Sequence, residues 1–127
     1  MRWVLVVDDE ADFTFFLKKN LEATGAFEVA VCNDGAKAVT EVLRLKPDVV
    51  LLDVMMPGMS GEDIANALRD REDTRRIPVV FLTAIISPEE AEQASHRIGG
   101  HVFVAKPVKF EELVRVLDRV RPDRRQD

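Results

Sequence analysis

Five side chains in this sequence could do chemistry and stand where a fold could bring them together: Asp8, Asp9, Asp53, Thr83 and Lys106. Each follows a short apolar run. Residues 2–7 lead into Asp8-Asp9-Glu10, Val49-Val50-Leu51-Leu52 into Asp53, Val79-Val80-Phe81-Leu82 into Thr83, and residues 101–105 into Lys106-Pro107. Runs this apolar and this short read as strands buried on both faces, as in a parallel sheet. Open α/β sheets bind ligands outside the carboxyl ends of their strands. Three carboxylates, a hydroxyl and an amine therefore converge on one crevice. A lone strand-terminal aspartate reads equally well as a turn cap. Placement of all five groups at four strand ends is hard to obtain by chance.

Charge suggests what the crevice takes. Clustered carboxylates repel and raise one another's pKa unless something neutralises them. A divalent cation together with the Lys106 ammonium would cancel three carboxylates. Oxygen ligands without His or Cys suit a hard ion, Mg²⁺ rather than Zn²⁺. Mg²⁺ keeps waters and binds phosphate oxygens, so the chemistry implied is phosphoryl transfer. A carboxylate can itself be the acceptor, giving an aspartyl phosphate. Asp53, alone on the central strand, is the candidate nucleophile. Asp8 and Asp9 would hold the metal, and Lys106 and the Thr83 hydroxyl would take phosphoryl oxygens.

The rest of the chain supplies the scaffold. Helical spacing covers residues 10–23, with Phe13, Phe16, Leu17 and Leu21 inward and Gly25 as the stop. Residues 27–32 alternate and read as a second, edge strand. Asn33-Asp34-Gly35 is turn and cap chemistry for a helix over 36–45, with Ala38, Val39, Val42 and Leu43 inward. A Met/Pro/Gly/Ser loop over 54–60 precedes a helix at 61–70 carrying Ile64, Ala65 and Leu68. Ser87-Pro88-Glu89-Glu90 starts a helix that ends at Gly99-Gly100. The last helix, 109–120, turns Phe110, Leu113, Val114 and Leu117 inward. Strands alternating with helices five times predict a parallel five-stranded sheet covered on both faces.

Length and composition limit what the domain can be. At 127 residues the chain suits one domain, here 1–120, with 121–127 a polar tail or linker stub. Net charge of −5 supplies no global field toward nucleic acid or anionic membrane. No apolar run approaches the roughly 20 residues of a spanning helix, and the start is too short and too soon acidic for a signal peptide. The single cysteine, Cys32, excludes an internal disulfide and reads as a small buried side chain. The expectation is a soluble, cytoplasmic domain. His96 and His101 lack metal-ligand spacing and read as exposed or partly packed. Met55, Met56 and Met59 read as cover beside the site, and Trp3 as a packing residue near the opposite edge of the sheet.

Val7-Asp8-Asp9, the stretch 52–61 (Leu-Asp-Val-Met-Met-Pro-Gly-Met-Ser-Gly), Thr83-Ala84 and Lys106-Pro107 resemble the receiver domain of two-component response regulators, over residues 2 to about 120. The resemblance implies a flavodoxin-like (βα)5 three-layer sandwich with strand order 2-1-3-4-5. It implies that Asp53 takes a phosphoryl group from a phosphohistidine on a sensor histidine kinase or phosphotransfer protein. The implied metal ligands are Asp9, Asp53 and the backbone carbonyl of Met55, with Asp8 acting through water. Mg²⁺ is the implied cofactor, with Mn²⁺ able to substitute. Thr83, the Ala84 backbone and Lys106 would bind the phosphoryl group, and Lys106-Pro107 would be a cis peptide. Phosphorylation would draw in Thr83 and let Phe103 rotate, shifting the face made by the fourth helix, fifth strand and fifth helix. Such a domain is no turnover enzyme: it promotes only its own phosphorylation and dephosphorylation. Kinase recognition would lie mainly on the first helix, and the output partner or domain is unspecified. No direct nucleic-acid or membrane binding is expected. The chain is either a stand-alone receiver or part of a longer protein.

Particular residues refine or compete with this reading. Met55 and Ile85, two residues after Asp53 and Thr83, are apolar where receivers admit hydrolytic water, which predicts slow self-dephosphorylation. Gly99-Gly100-His101-Val102 lacks the acids that receivers dimerising for DNA binding carry there, so a monomer or a weak phosphorylation-dependent dimer is expected. A haloacid-dehalogenase-like phosphatase would need an acid at Met55. Neither GxxxxGK[ST] nor GxGxxG is present, and Gly58-Met59-Ser60-Gly61 misses the nucleophile-elbow spacing. A receiver-shaped module that signals without phosphorylation remains the main alternative.

Overall fold

The computed structural model describes residues 1–84 and 102–120. The expected helix over 88–98, Ile85, both histidines, Gly99-Gly100 and the tail lie outside the described residues. Five strands form one parallel sheet in the order β2-β1-β3-β4-β5. They are β1 (Arg2–Val7), β2 (Phe27–Cys32), β3 (Val49–Asp53), β4 (Val79–Thr83) and β5 (Val102–Ala105). The described helices are α1 (Ala11–Ala23), α2 (Ala38–Leu45), α3 (Gly61–Arg69) and α4 (Phe110–Arg119), with a short 3-10 turn at Gly35–Lys37. The sheet order, the edge position of β2 and the three layers agree with the sequence expectation.

Period-two alternation divides the core. Val4, Val6, Val49, Leu51, Val80, Leu82 and Val104 pack against α1 and α4 through Leu17, Leu21, Leu113 and Leu117. Leu5, Val7, Val50, Leu52, Val79 and Phe81 pack against α2 and α3 through Ala38, Val42, Ile64, Ala65 and Leu68. Every residue of β3 is buried, as a central strand between two helical layers requires. Cys32 is a buried free thiol.

Two expectations are corrected. Phe16 does not join the inward face of α1: it is 47% exposed, and Thr14 is buried in its stead. The Thr14 hydroxyl donates to the Ala11 carbonyl at 3.0 Å and accepts from Asn33 Nδ2 at 3.0 Å, so its burial leaves no polar atom unpaired. Trp3 is 44% exposed rather than packed, because burial in β1 begins only at Val4.

The edge strand is guarded. Val29 turns its amide and carbonyl away from β1. Its N–H donates to Glu22 Oε2 at 3.1 Å, and its carbonyl accepts from Lys18 Nζ at 2.7 Å. The same two α1 side chains pair at 3.1 Å. Open strand edges invite pairing with other chains, and this clamp occupies the middle of the edge.

One close approach sets the turn after β3. Gly61 opens α3, its N–H donates to the Val54 carbonyl at 2.9 Å, and Ser60 Oγ caps the helix by accepting from the Asp63 N–H at 3.2 Å. A Cβ at position 61 would clash with the Asp53 carbonyl oxygen. Gly61→Ala therefore must move the backbone of Asp53 itself. It is expected to lower the free energy of unfolding by about 2 kcal/mol or more, measured by urea titration.

Candidate functional site

The side-chain alternation that builds the core also builds the site. Asp8 continues the series Val4, Val6; Asp53 continues Val49, Leu51; Lys106 continues Val104. All three therefore point to the α1–α4 side of the sheet at its carboxyl edge. Thr83 continues Val79, Phe81 and points to the other side, where Phe81 and Phe103 stack with ring centroids 5.4 Å apart. β5 lies two strand spacings from β3, roughly 10 Å, so only a long side chain on β5 reaches the acids.

Carboxylate oxygens of Asp8, Asp9 and Asp53 all lie within 4.8 Å of one another. Lys106 Nζ bonds Asp8 Oδ2 at 2.7 Å and stands 3.6 Å from both Asp53 Oδ1 and Glu10 Oε1. The Glu10 N–H donates to Asp8 Oδ1 at 2.9 Å, so both oxygens of fully buried Asp8 have partners. Asp53 is held more loosely: among the described residues, Lys106 stands 3.6 Å away and the Met55 N–H donates a long bond of 3.4 Å. An open cleft lies over these groups, lined by Asp9, Glu10, Asp53, Met55, Thr83, Ala84 and Lys106. The Lys106–Pro107 peptide is cis.

The sequence-selected groups Asp8, Asp9, Asp53, Met55, Thr83, Ala84 and Lys106 thus share one edge, with Phe103 one layer behind Thr83. Several contributors were not singled out from sequence. Glu10 and Phe13 both approach Lys106. Asn33 Nδ2 donates to the Asp8 carbonyl at 2.8 Å, tying the end of β1 to the following turn. Only the proximity of Glu10 to the Asp8-Asp9 pair hinted at any of these.

Electrostatics single out Asp53. Burial, then the neighbouring charge of Asp8, push its carboxyl above the ordinary carboxylate range, against the pull of Lys106. For Lys106, burial pulls downward, but the hydrogen bond and charge of Asp8, with Asp53 and Glu10 behind them, outweigh it and hold the ammonium above its ordinary value. Lys106 therefore stays charged at neutral pH. A crowded, oxygen-only donor set with room at its mouth fits a hard divalent cation. The loosely satisfied Asp53 oxygens face that mouth, beside a fixed ammonium.

Comparison with known proteins agrees with this fold. The response regulator receiver domain family model matches residues 4–118. The chain is 40% identical over 119 residues to the DNA-binding response regulator MtrA of Mycobacterium tuberculosis, covering 93% of this chain and 50% of that protein. It is 36% identical over 125 residues to the phosphate regulon transcriptional regulatory protein PhoB of Rhizobium meliloti, covering 94% and 54%. The chain thus spans about half the length of the curated relatives it matches. Among solved structures, the Vibrio cholerae chemotaxis response regulator CheY4 superposes with a TM-score of 0.81 at 32% identity, covering 94% of this chain and 98% of that one.

The raised pKa of Asp53 has a consequence for stability. A carboxyl whose folded pKa lies above its unfolded value stabilises the fold at low pH, and that contribution is lost as pH rises through the window between the two values. At neutral pH the ionised Asp53 destabilises the metal-free protein. Asp53→Asn is expected to raise the melting temperature by a few degrees in EDTA at pH 7, with the gain shrinking toward pH 4. Added Mg²⁺ should stabilise wild type more than the variant, as read by calorimetry.

Proposed function

The chain belongs to the response regulator receiver domain family, and on that premise we propose that Asp53 accepts a phosphoryl group in a metal-dependent reaction and that this charge change switches the domain. The observation that carries the reading is the meeting of three carboxylates within 4.8 Å at one strand edge, with Lys106 Nζ 3.6 Å from Asp53. Asp9 and Asp53 would hold Mg²⁺ or Mn²⁺ with the Met55 carbonyl, and Asp8 would act through water. The ion would neutralise charge on the acids and on the transferring group.

The donor is a phosphohistidine on a sensor histidine kinase or phosphotransfer protein. An Asp53 carboxylate oxygen attacks phosphorus as the P–N bond breaks. The electron pair returns to the imidazole, and a new acyl phosphate O–P bond forms. The Lys106 ammonium and the Thr83 and Ala84 edge of the cleft take the phosphoryl oxygens. On α1, Phe15 and Phe16 are 64% and 47% exposed, and Phe16 lines a groove with Lys106, apolar surface suited to the donor protein.

The output rests on the two faces of the edge. Thr83, drawn toward the new phosphoryl group, leaves space on the face where Phe103 stacks on Phe81. Rotation of Phe103 into that space would shift the population of a surface that includes β5 and α4, read by a partner or a further domain. Met55, 82% exposed at the cleft, offers a thioether that cannot orient water for hydrolysis.

Incubation with acetyl phosphate and Mg²⁺ is expected to add one phosphoryl group by intact mass, lost with EDTA and in Asp53→Ala. No gain in folded, Mg²⁺-binding protein would leave a module that signals by docking alone or accepts only from a docked kinase. After removal of donor the label should outlast many minutes, and Met55→Asn should shorten it about two- to tenfold. A half-life of seconds in the wild type would contradict the assignment of slow hydrolysis.

A further inference from the structure

Lys106 lines two places. Its ammonium stands in the acid cleft, and the residue also lines a neighbouring apolar groove with Phe13, Phe16, Pro107 and Val108. Nζ lies over the Phe13 ring, 4.6 Å from its centroid, well inside the range in which a ring face attracts a cation. The ring cannot easily swing away, because Phe13 packs partly buried against the core cluster that contains Leu17 and Val6.

Among the described residues the charged partners of Nζ are acids, and their hold on it is conditional. Asp8 at 2.7 Å and Asp53 at 3.6 Å belong to the carboxylate triplet. A divalent cation in that triplet would share their charge and repel the ammonium directly. Glu10 is 67% exposed and 3.6 Å away, a pair weakened by solvent. Phe13 differs in kind. Its attraction comes from the ring quadrupole, which carries no net charge for a metal to compete for. It also consumes none of the three ammonium donors in a strong hydrogen bond.

We propose that Phe13 is a positioning residue for phosphoryl acceptance: its ring face keeps the Lys106 ammonium at the mouth of the cleft once the metal has engaged the acids, with the N–H groups free for phosphoryl oxygens. This rests on the reading of Asp53 as phosphoacceptor.

The test compares wild type, Phe13→Leu and Phe13→Tyr in the rate of labelling by acetyl phosphate at saturating Mg²⁺. Leucine keeps an apolar packing group and removes the ring, whereas tyrosine keeps the ring. Phe13→Leu should label about three- to tenfold more slowly, and Phe13→Tyr should stay within about twofold of wild type. A second readout is independent of phosphorylation. The ε-methylene protons of Lys106 should resonate upfield under the Phe13 ring, with and without Mg²⁺, and lose that shift in Phe13→Leu. A labelled wild type with Phe13→Leu at the same rate would overturn the proposal alone, as would equal slowing by leucine and tyrosine, or a Lys106 resonance without the upfield shift. Failure of the wild type to label would remove the phosphoacceptor reading and this proposal with it.

Discussion

Repulsion among three carboxylates at one edge of a sheet is the constraint on which the rest of this site depends. Two acids of the three are buried, and all three sit within 4.8 Å of one another. Such a cluster survives folding only if opposite charge and hydrogen bonds offset it. Lys106 supplies the charge from the edge strand, two strands from Asp53 and three from Asp8, and the Glu10 amide supplies a donor. The compensation is uneven. Asp8 has a close partner on each oxygen, while Asp53 has one ammonium at 3.6 Å and one long amide contact. Of the two buried carboxylates, the less satisfied is therefore the one with capacity left for a new partner, and its pKa moves in the direction that imbalance requires.

The scaffold makes the cluster unavoidable. Parallel pairing aligns the carboxyl ends of β1, β3, β4 and β5, and alternation sends Asp8, Asp53 and Lys106 to one side and Thr83 to the other. The same alternation that separates the two halves of the core separates charge handling from the Phe81–Phe103 stack. Thr83 sits at the boundary. On the proposed reading, a group bound at the acid side would act on the packing of the opposite layer through this one residue. Gly61 tightens the arrangement from below, since its missing Cβ is what lets the start of α3 lie against the Asp53 backbone.

Much of this was legible in the sequence, and the reason is local. Strand ends follow from short apolar runs, so the positions of Asp8, Asp9, Asp53, Thr83 and Lys106 follow from the order of residues alone. The inward faces of α3 and α4 followed from helical spacing for the same reason. Where spacing left a choice, it misled. On α1 it favoured Phe16 over Thr14, because hydropathy does not register that a threonine hydroxyl can be satisfied by Ala11 and Asn33. Trp3, expected to pack at the start of the first strand, precedes the point where burial in β1 begins. Glu10, Phe13 and Asn33 touch the site through distances between elements far apart in the chain or across a turn, which periodicity does not encode. The Val29 edge clamp is of the same kind: Lys18 and Glu22 look like an ordinary helical pair until the strand beneath them is placed.

On the proposed reading Asp53, and not Asp8 or Asp9, forms the acyl phosphate. Borohydride reduces an acyl phosphate to an alcohol, converting the modified aspartate to homoserine. Peptide mass mapping after labelling with acetyl phosphate, reduction and digestion therefore identifies the carboxylate directly. Homoserine is expected at position 53, dependent on Mg²⁺ and absent without the donor. Homoserine at position 8 or 9, or a labelled protein with position 53 unmodified, would contradict it.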